Sequence, residues 1–126
     1  MIVGNVQRVY AYGAPVDMRK GFDGLYSLVK ESLGRDPLSG DLYLFVSRNR
    51  IRAKVLLWDG TGLCVYAKRL EKGRFAELWK SASEGYLELS PSELQLFLEG
   101  CRWVGRLPLS PSRLSWKNLS LSAGLL

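Results

Sequence analysis

Two segments of strand length, joined by four turn-forming residues, constrain the fold of this chain more than any other feature. Residues 50 to 58 and 63 to 70 are rich in aliphatic and aromatic side chains, and Asp59-Gly60-Thr61-Gly62 between them is a strong turn signal. Pairing around this turn places Arg52 directly opposite Arg69. The sequence therefore predicts a β-hairpin in which two cations face each other across neighbouring strands.

The hairpin and the residues next to it carry the whole positive excess of the chain. Residues 48 to 75 contain eight Lys or Arg and two acids, in a chain with 18 basic and 12 acidic residues and a net charge of +6. Along the first strand the cations alternate with apolar residues, so we expect Arg48, Arg50, Arg52 and Lys54 to share one face. Like charges opposite each other destabilise a strand pair, and an anion bound to that face would relieve the repulsion.

Spaced Arg and Lys side chains bind phosphates without a sequence code, so the basic hairpin predicts a nucleic-acid partner but no base specificity. The alternative is a solvated sheet face with no ligand. The predicted nucleic-acid-binding residues are Arg48, Arg50, Arg52, Lys54, Lys68, Arg69, Lys72 and Arg74.

Composition narrows the class of protein. A chain of 126 residues that is 47% hydrophobic is long enough for a single domain with a core. It lacks a membrane-spanning apolar run and a signal peptide, so we expect a cytoplasmic protein with Cys64 and Cys101 reduced. The chain has no His, which removes the commonest general base and every His-containing metal site. We therefore predict no cofactor and no metal.

Periodicity predicts two helices. Residues 18 to 33 place Met18, Phe22, Leu25, Val29 and Leu33 on one stripe, with Asp17 expected as the cap and Gly34 as the end. Residues 91 to 101 follow Ser90, which forms a capping-box pattern with Glu93.

Three further segments, residues 8 to 13, 42 to 47 and 86 to 89, have the composition and length of strands. The sequence thus predicts an α+β single domain with a mostly antiparallel sheet of about four or five strands. We expect the 18 to 33 helix to pack on the sheet and the 91 to 101 helix to lie at one end. Residues 1 to 104 are predicted to form this domain, and the Leu- and Ser-rich residues 105 to 126 a tail that is disordered alone or docks through a few side chains.

Three aspartates invite an enzymatic alternative. Asp17, Asp23 and Asp59 suggest a Mg²⁺-dependent nuclease, in which carboxylates hold the metal for phosphodiester chemistry. Local roles explain them better: a helix cap, a partner of Arg19 or Lys20 on the helix surface, and a turn residue.

Four ordered blocks resemble a known family. They read DMRKGFDGL (17 to 25), DPLSGDLYLF (36 to 45), KVLLWDGTGLCVYAKRLEKGRF (54 to 75) and LSPSELQLFLEG (89 to 100). Together they make residues 8 to 103 similar to the small TnpB-type accessory protein of bacterial insertion sequences of the insertion sequence sixty-six family. This family is unrelated to the RNA-guided nuclease that shares the TnpB label. It usually ends near Trp103, so the segment that follows departs from its pattern.

The resemblance implies a protein encoded beside a separate DDE transposase and needed for movement of the element, with no agreed catalytic residues. We therefore expect a non-catalytic accessory factor that binds DNA through the basic hairpin. The alternative is a protein interaction module that recruits or regulates the transposase through Arg19, Lys20 and Asp23; a Mg²⁺-dependent nuclease is the least favoured reading. DNA and the transposase are the expected partners, a membrane is not, and self-association is left open.

Overall fold

A computed structural model describes residues 8–80, 82 and 85–100 of the chain, and these residues form a five-stranded sheet with strand order β4-β3-β2-β1-β5. The elements are β1 (Val9–Tyr12), α1 (Phe22–Ser27) with a π-helical continuation (Leu28–Ser32), β2 (Leu42–Val46), β3 (Arg52–Trp58), β4 (Leu63–Arg69), β5 (Tyr86–Leu89) and α2 (Pro91–Leu98). β1 and β2 run parallel, and the other neighbouring strands are antiparallel. The predicted α+β fold with a mostly antiparallel sheet and two helices is confirmed.

The two faces of the sheet are covered by different parts of the chain. Side chains of α1 and its π-helical continuation, including Leu25 and Val29, cover one face, on which Tyr10 and Tyr43 stack with ring centroids 5.7 Å apart. On the other face α2 and residues 75–78 pack over the sheet, and Phe75 stacks on a helix side chain, Phe97, at 4.9 Å. The second helix, which the sequence predicts at one end of the sheet, buries its apolar stripe in the core of this face.

The hairpin has the predicted register. β3 pairs with β4 from Trp58 opposite Leu63 to Arg52 opposite Arg69. The first strand begins at Arg52 and not at residue 50, because Arg50 has a φ of 60° and so leaves the extended conformation. The remaining strands match the predicted segments to within a residue at each end.

The first helix begins later than predicted. Asp17 does not cap it; its carboxylate instead accepts a hydrogen bond from the Arg19 backbone N–H at 2.9 Å. A helix through residue 18 would use the Met18 carbonyl as a helical acceptor, but that oxygen accepts from the Lys54 ammonium at 2.9 Å. The segment 17–20 is therefore a turn fastened to the sheet, and regular helix begins at Phe22.

The second helix is capped as predicted. Ser90 Oγ accepts from the Glu93 backbone N–H at 3.1 Å, and the Glu93 carboxylate accepts from the Ser90 N–H at 2.7 Å. The helix ends at Leu98 and not at residue 101. Cys101 and the proposed tail, residues 105 to 126, lie outside the described residues. No helix in the described part of the chain is long and apolar enough to cross a membrane.

We expect Ser90→Ala to lower the free energy of unfolding by about 1 kcal/mol, because it removes the side-chain acceptor for the first turn of α2. Urea unfolding measures this loss. Ser92→Ala, a substitution at an exposed position in the same turn, is the matched control. Equal effects of the two substitutions would contradict the role given to the cap.

Candidate nucleic-acid interface

A shallow groove, called here the basic groove, lies between the turn before α1 and the start of the β3–β4 hairpin. One half, of about 830 Å³, is lined by residues 15–19, 47–49 and Arg52. The other half, of about 390 Å³, is lined by Met18, residues 52–54 and residues 67–69. Arg52 and Met18 line both halves, so the two depressions are continuous.

Two arginines stand side by side in this groove. Arg52 and Arg69 are directly opposite each other on β3 and β4, and both are exposed. Arg69 Nε donates to Glu71 Oε2 at 3.1 Å, an exposed ion pair that contributes little to stability. The sheet therefore holds two guanidinium groups at neighbouring positions facing solvent, as the sequence predicts.

Lys54 builds the groove and does not face solvent freely. Its Nζ donates to the carbonyl of Met18 at 2.9 Å and to the carbonyl of Lys20 at 2.8 Å. These bonds fasten the turn 17–20 to β3. The Lys54 ammonium thus stabilises the turn, a role that the alternation of residues along the strand does not predict.

Two more of the predicted cations also bind backbone carbonyls. Lys68 Nζ donates to the Leu98 carbonyl at 2.7 Å at the end of α2, and Lys68 lies opposite Ala53, whose side chain faces the α2 side of the sheet. Arg50 Nη1 donates to the Phe75 carbonyl at 3.2 Å. The expectation that the four cations from 48 to 54 share one face is therefore wrong: only Arg52 and Lys54 lie on the strand, and the chain turns before them.

The remaining predicted cations surround the start of β3. Arg48 is exposed in the loop between β2 and β3. Lys72 and Arg74 are exposed in the loop after β4. Two backbone hydrogen bonds hold this loop against the start of β3: the Leu70 N–H donates to the Ile51 carbonyl at 2.8 Å, and the Phe75 N–H donates to the Arg50 carbonyl at 2.7 Å. Gly73 has a φ of +73°, which allows the chain to turn between the two cations.

The predicted DNA-binding surface and the predicted protein-binding surface meet in the basic groove. Arg19, predicted to bind a protein partner, lines the same groove as Arg52. Its side chain is 91% exposed and lies 2.7 Å from Asp17 Oδ2. Hydrogen bonds from Arg19 lower the pKa of Asp17 to about 2. Arg19 and Arg52 are too far apart in sequence for a spacing rule to predict that they line one groove. The hydrogen bonds from Lys54 to the turn 17–20 bring them together.

The aspartates of the nuclease alternative are not brought together. Asp17 lines the groove near Arg52, whereas Asp59 follows Trp58 at the far end of β3, about 20 Å away along a strand of this length. Asp59 Oδ1 accepts hydrogen bonds from the N–H groups of Thr61 and Gly62 at 2.9 Å each, so this carboxylate stabilises the turn. Within residues 8–80, 82 and 85–100 no His, Cys, Asp and Glu side chains form a group that could hold a metal ion.

The Asp59 carboxylate predicts an acid-sensitive hairpin. Its hydrogen bonds to the turn lower its pKa from 3.8 to about 2, so its contribution to stability is present above pH 4 and is lost as the pH falls through 2. We expect Asp59→Asn to lower stability at neutral pH and to flatten the fall in unfolding free energy between pH 4 and 2, as measured by urea unfolding. Asp23→Asn on the exposed side of α1 is the control. An unchanged acid slope in Asp59→Asn would contradict the assignment.

Comparison with known proteins places the chain in a family. The family model described as IS66 Orf2 like protein, TnpB_IS66, matches residues 7–106. The chain belongs to the IS66 Orf2-like family. The match spans the basic groove and both helices, which confirms the resemblance seen in the sequence. The family is one of accessory proteins and is not known as catalytic, and membership indicates an accessory role in transposition.

Two curated relatives come from Sinorhizobium fredii (strain NBRC 101917 / NGR234). This IS66 Orf2-like chain is 40% identical to "Uncharacterized protein y4hO" over 100 residues, which cover 79% of this chain and 85% of that protein. It is 35% identical to "Uncharacterized protein y4jC" over 97 residues, which cover 77% of this chain and 81% of that protein. No solved structure gives a significant match.

Proposed function

We propose that this protein is a non-catalytic accessory factor for transposition of a bacterial insertion sequence and that it binds the DNA backbone in the basic groove. The observation that carries the proposal is the pair Arg52 and Arg69, exposed and directly opposite each other on the hairpin. Two guanidinium groups so placed repel each other, and a phosphate bound to both of them relieves this repulsion.

The surrounding cations extend the contact. Arg48 lies at one side of the pair, and Lys72 and Arg74 lie on the loop that returns to the start of β3. Lys54 and Arg50 support this surface by holding backbone carbonyls, so their contribution to DNA affinity is indirect. Lys68 holds the end of α2 on the other side of the sheet and is not a direct contact. The groove residues that carry positive charge and hydrogen-bond donors lie on strands and loops. Such a surface favours contact with phosphates over recognition of base edges.

Fluorescence anisotropy across a salt series tests the proposal. The purified full chain is titrated against a labelled duplex carrying the terminal repeat of the element and against a scrambled duplex. We expect both to bind, with log affinity falling against log salt by ~0.9 for each phosphate contact. The five exposed cations Arg48, Arg52, Arg69, Lys72 and Arg74 then give a total slope of about 4 to 5. No binding to either duplex at low salt would overturn the proposal.

A second candidate function rests on one exposed side chain. Phe22 is 52% exposed at the start of α1, next to Arg19, Lys20 and Asp23. An exposed large apolar side chain with exposed charged neighbours along the chain is typical of a protein-binding surface, and here the partner would be the element's transposase.

A pull-down of the transposase from nuclease-treated extract tests this candidate. Phe22→Ser should reduce capture, whereas Leu38→Ser, a change at a residue 42% exposed outside this surface, should leave capture unchanged. Equal capture by both variants would refute a role for the surface around Phe22.

A further inference from the structure

The outer edge of β4 is an open strand edge of seven residues. β4 lies at the end of the strand order and contains seven residues, without Pro or Gly. Among the described residues no strand pairs with this edge. Proteins normally shorten, bend or cover such an edge, because its free N–H and C=O groups form a template for another strand.

The hydrogen-bond pattern shows which groups point outward. The N–H of Leu70 donates to the Ile51 carbonyl at 2.8 Å, and the N–H of Asp59 donates to the Gly62 carbonyl at 3.1 Å. Hydrogen-bonded pairs alternate along an antiparallel ladder, so in this register Tyr66 bonds inward to β3. The residues whose N–H and C=O groups point outward are Leu63, Val65, Ala67 and Arg69.

We propose that two copies of this chain pair antiparallel along β4, with the two-fold axis at Tyr66, to form a continuous sheet. This register aligns the whole strand: Leu63 meets Arg69 of the second copy, and Val65 meets Ala67. All of these residues have outward-facing groups, so each pair can exchange hydrogen bonds. The proposal is independent of DNA binding.

The charge distribution along β4 favours a second copy of this chain as the partner and an antiparallel direction of pairing. The cations of β4, Lys68 and Arg69, lie at one end of the strand, and the other end carries Leu63 and Cys64. Antiparallel self-pairing places the basic end of each copy against the uncharged end of the other, whereas parallel pairing would place cation beside cation. The strand is therefore complementary to itself in the antiparallel sense.

The side chain at the proposed axis also favours the pairing. Tyr66 is 37% exposed, one of the few large apolar side chains with that exposure in the described part of the chain. At the axis it would lie beside its symmetry mate in a pair without direct hydrogen bonds, where side chains approach most closely. Cross-strand aromatic pairs stabilise a sheet, so Tyr66 would gain a contact that the isolated chain does not give it.

Sedimentation equilibrium of the full chain without DNA is the first test. We expect a mass twice the chain mass of 14.2 kDa. Ala67→Pro removes an outward N–H without removing a bond to β3, so the variant should keep its circular dichroism spectrum and sediment as a monomer. A wild-type monomer at all concentrations, or a folded Ala67→Pro variant that remains dimeric, would overturn the proposal.

Disulfide trapping decides the register and does not depend on the proline variant. In a background of Cys64→Ser and Cys101→Ser, Tyr66→Cys places two thiols about 4.5 Å apart between Cα atoms, within disulfide range. Ala67→Cys, one residue along, places them about 9 Å apart. With oxidised glutathione as the oxidant, we expect covalent dimer from Tyr66→Cys at least tenfold faster than from Ala67→Cys. Equal rates, or no dimer from either variant, would overturn the register.

Discussion

Replacing both Arg52 and Arg69 with Ala is expected to weaken DNA binding about 100-fold near 0.1 M salt. Each arginine that neutralises a phosphate releases about 0.9 of a counterion, so two lost contacts lower log affinity by roughly 2 at that salt concentration. The log-log salt slope should fall in magnitude by about 1.8 for the same reason. Anisotropy titrations of the variant and the wild type across the same salt series measure both quantities.

The matched control removes the same charge from elsewhere. Arg8 is exposed just before β1, where its backbone N–H donates to Asp41 Oδ1, and it does not line the groove; Lys30 is exposed on the π-helical continuation of α1. Arg8→Ala with Lys30→Ala lowers net charge equally, so it reports only the general electrostatic effect. If this control loses as much affinity as the groove variant, binding is a property of net charge and the groove has no special role.

Lys54→Met is expected to have the largest effect on stability among the cations of the hairpin. The substitution keeps a long, partly buried side chain but removes the donor to the Met18 and Lys20 carbonyls. Hydrogen bonds from a charged donor contribute about 1.5 to 3 kcal/mol, and carbonyls left without a partner cost more when buried. We expect the free energy of unfolding to fall by about 2 to 3 kcal/mol in urea.

Lys30→Met controls for the change in side-chain chemistry at an exposed position, and a loss within about 0.5 kcal/mol is typical of such sites. Lys54→Met should also shift the backbone amide resonances of residues 17–20, because the turn is no longer held to β3. A variant as stable as wild type would show that the two hydrogen bonds are not what fastens the turn.

Local rules predicted the hairpin and the second helix well. The turn at Asp59 fixes the register of β3 and β4, and the capping box fixes the start of α2. Both signals act over a few residues, so tertiary contacts have little opportunity to override them. The first helix differs because its beginning depends on a donor from a distant strand, Lys54.

The candidate site could be predicted only in part. Alternation along a strand correctly placed Arg52, but it gave Arg50 the wrong direction because a left-handed residue interrupts the pattern. Sequence also cannot distinguish a lysine that meets a carbonyl from one that meets solvent. Lys54 and Lys68 look like free cations in the sequence, and both are bound to backbone oxygens in the fold.

Amide chemical-shift mapping of the ¹⁵N-labelled full chain during titration with a short duplex tests the central claim most directly. The account predicts that shifted resonances cluster at residues 17–20, 48–54 and 67–74, which surround the basic groove. Binding with shifts concentrated on α2 or β5, or spread evenly over the chain, would contradict it.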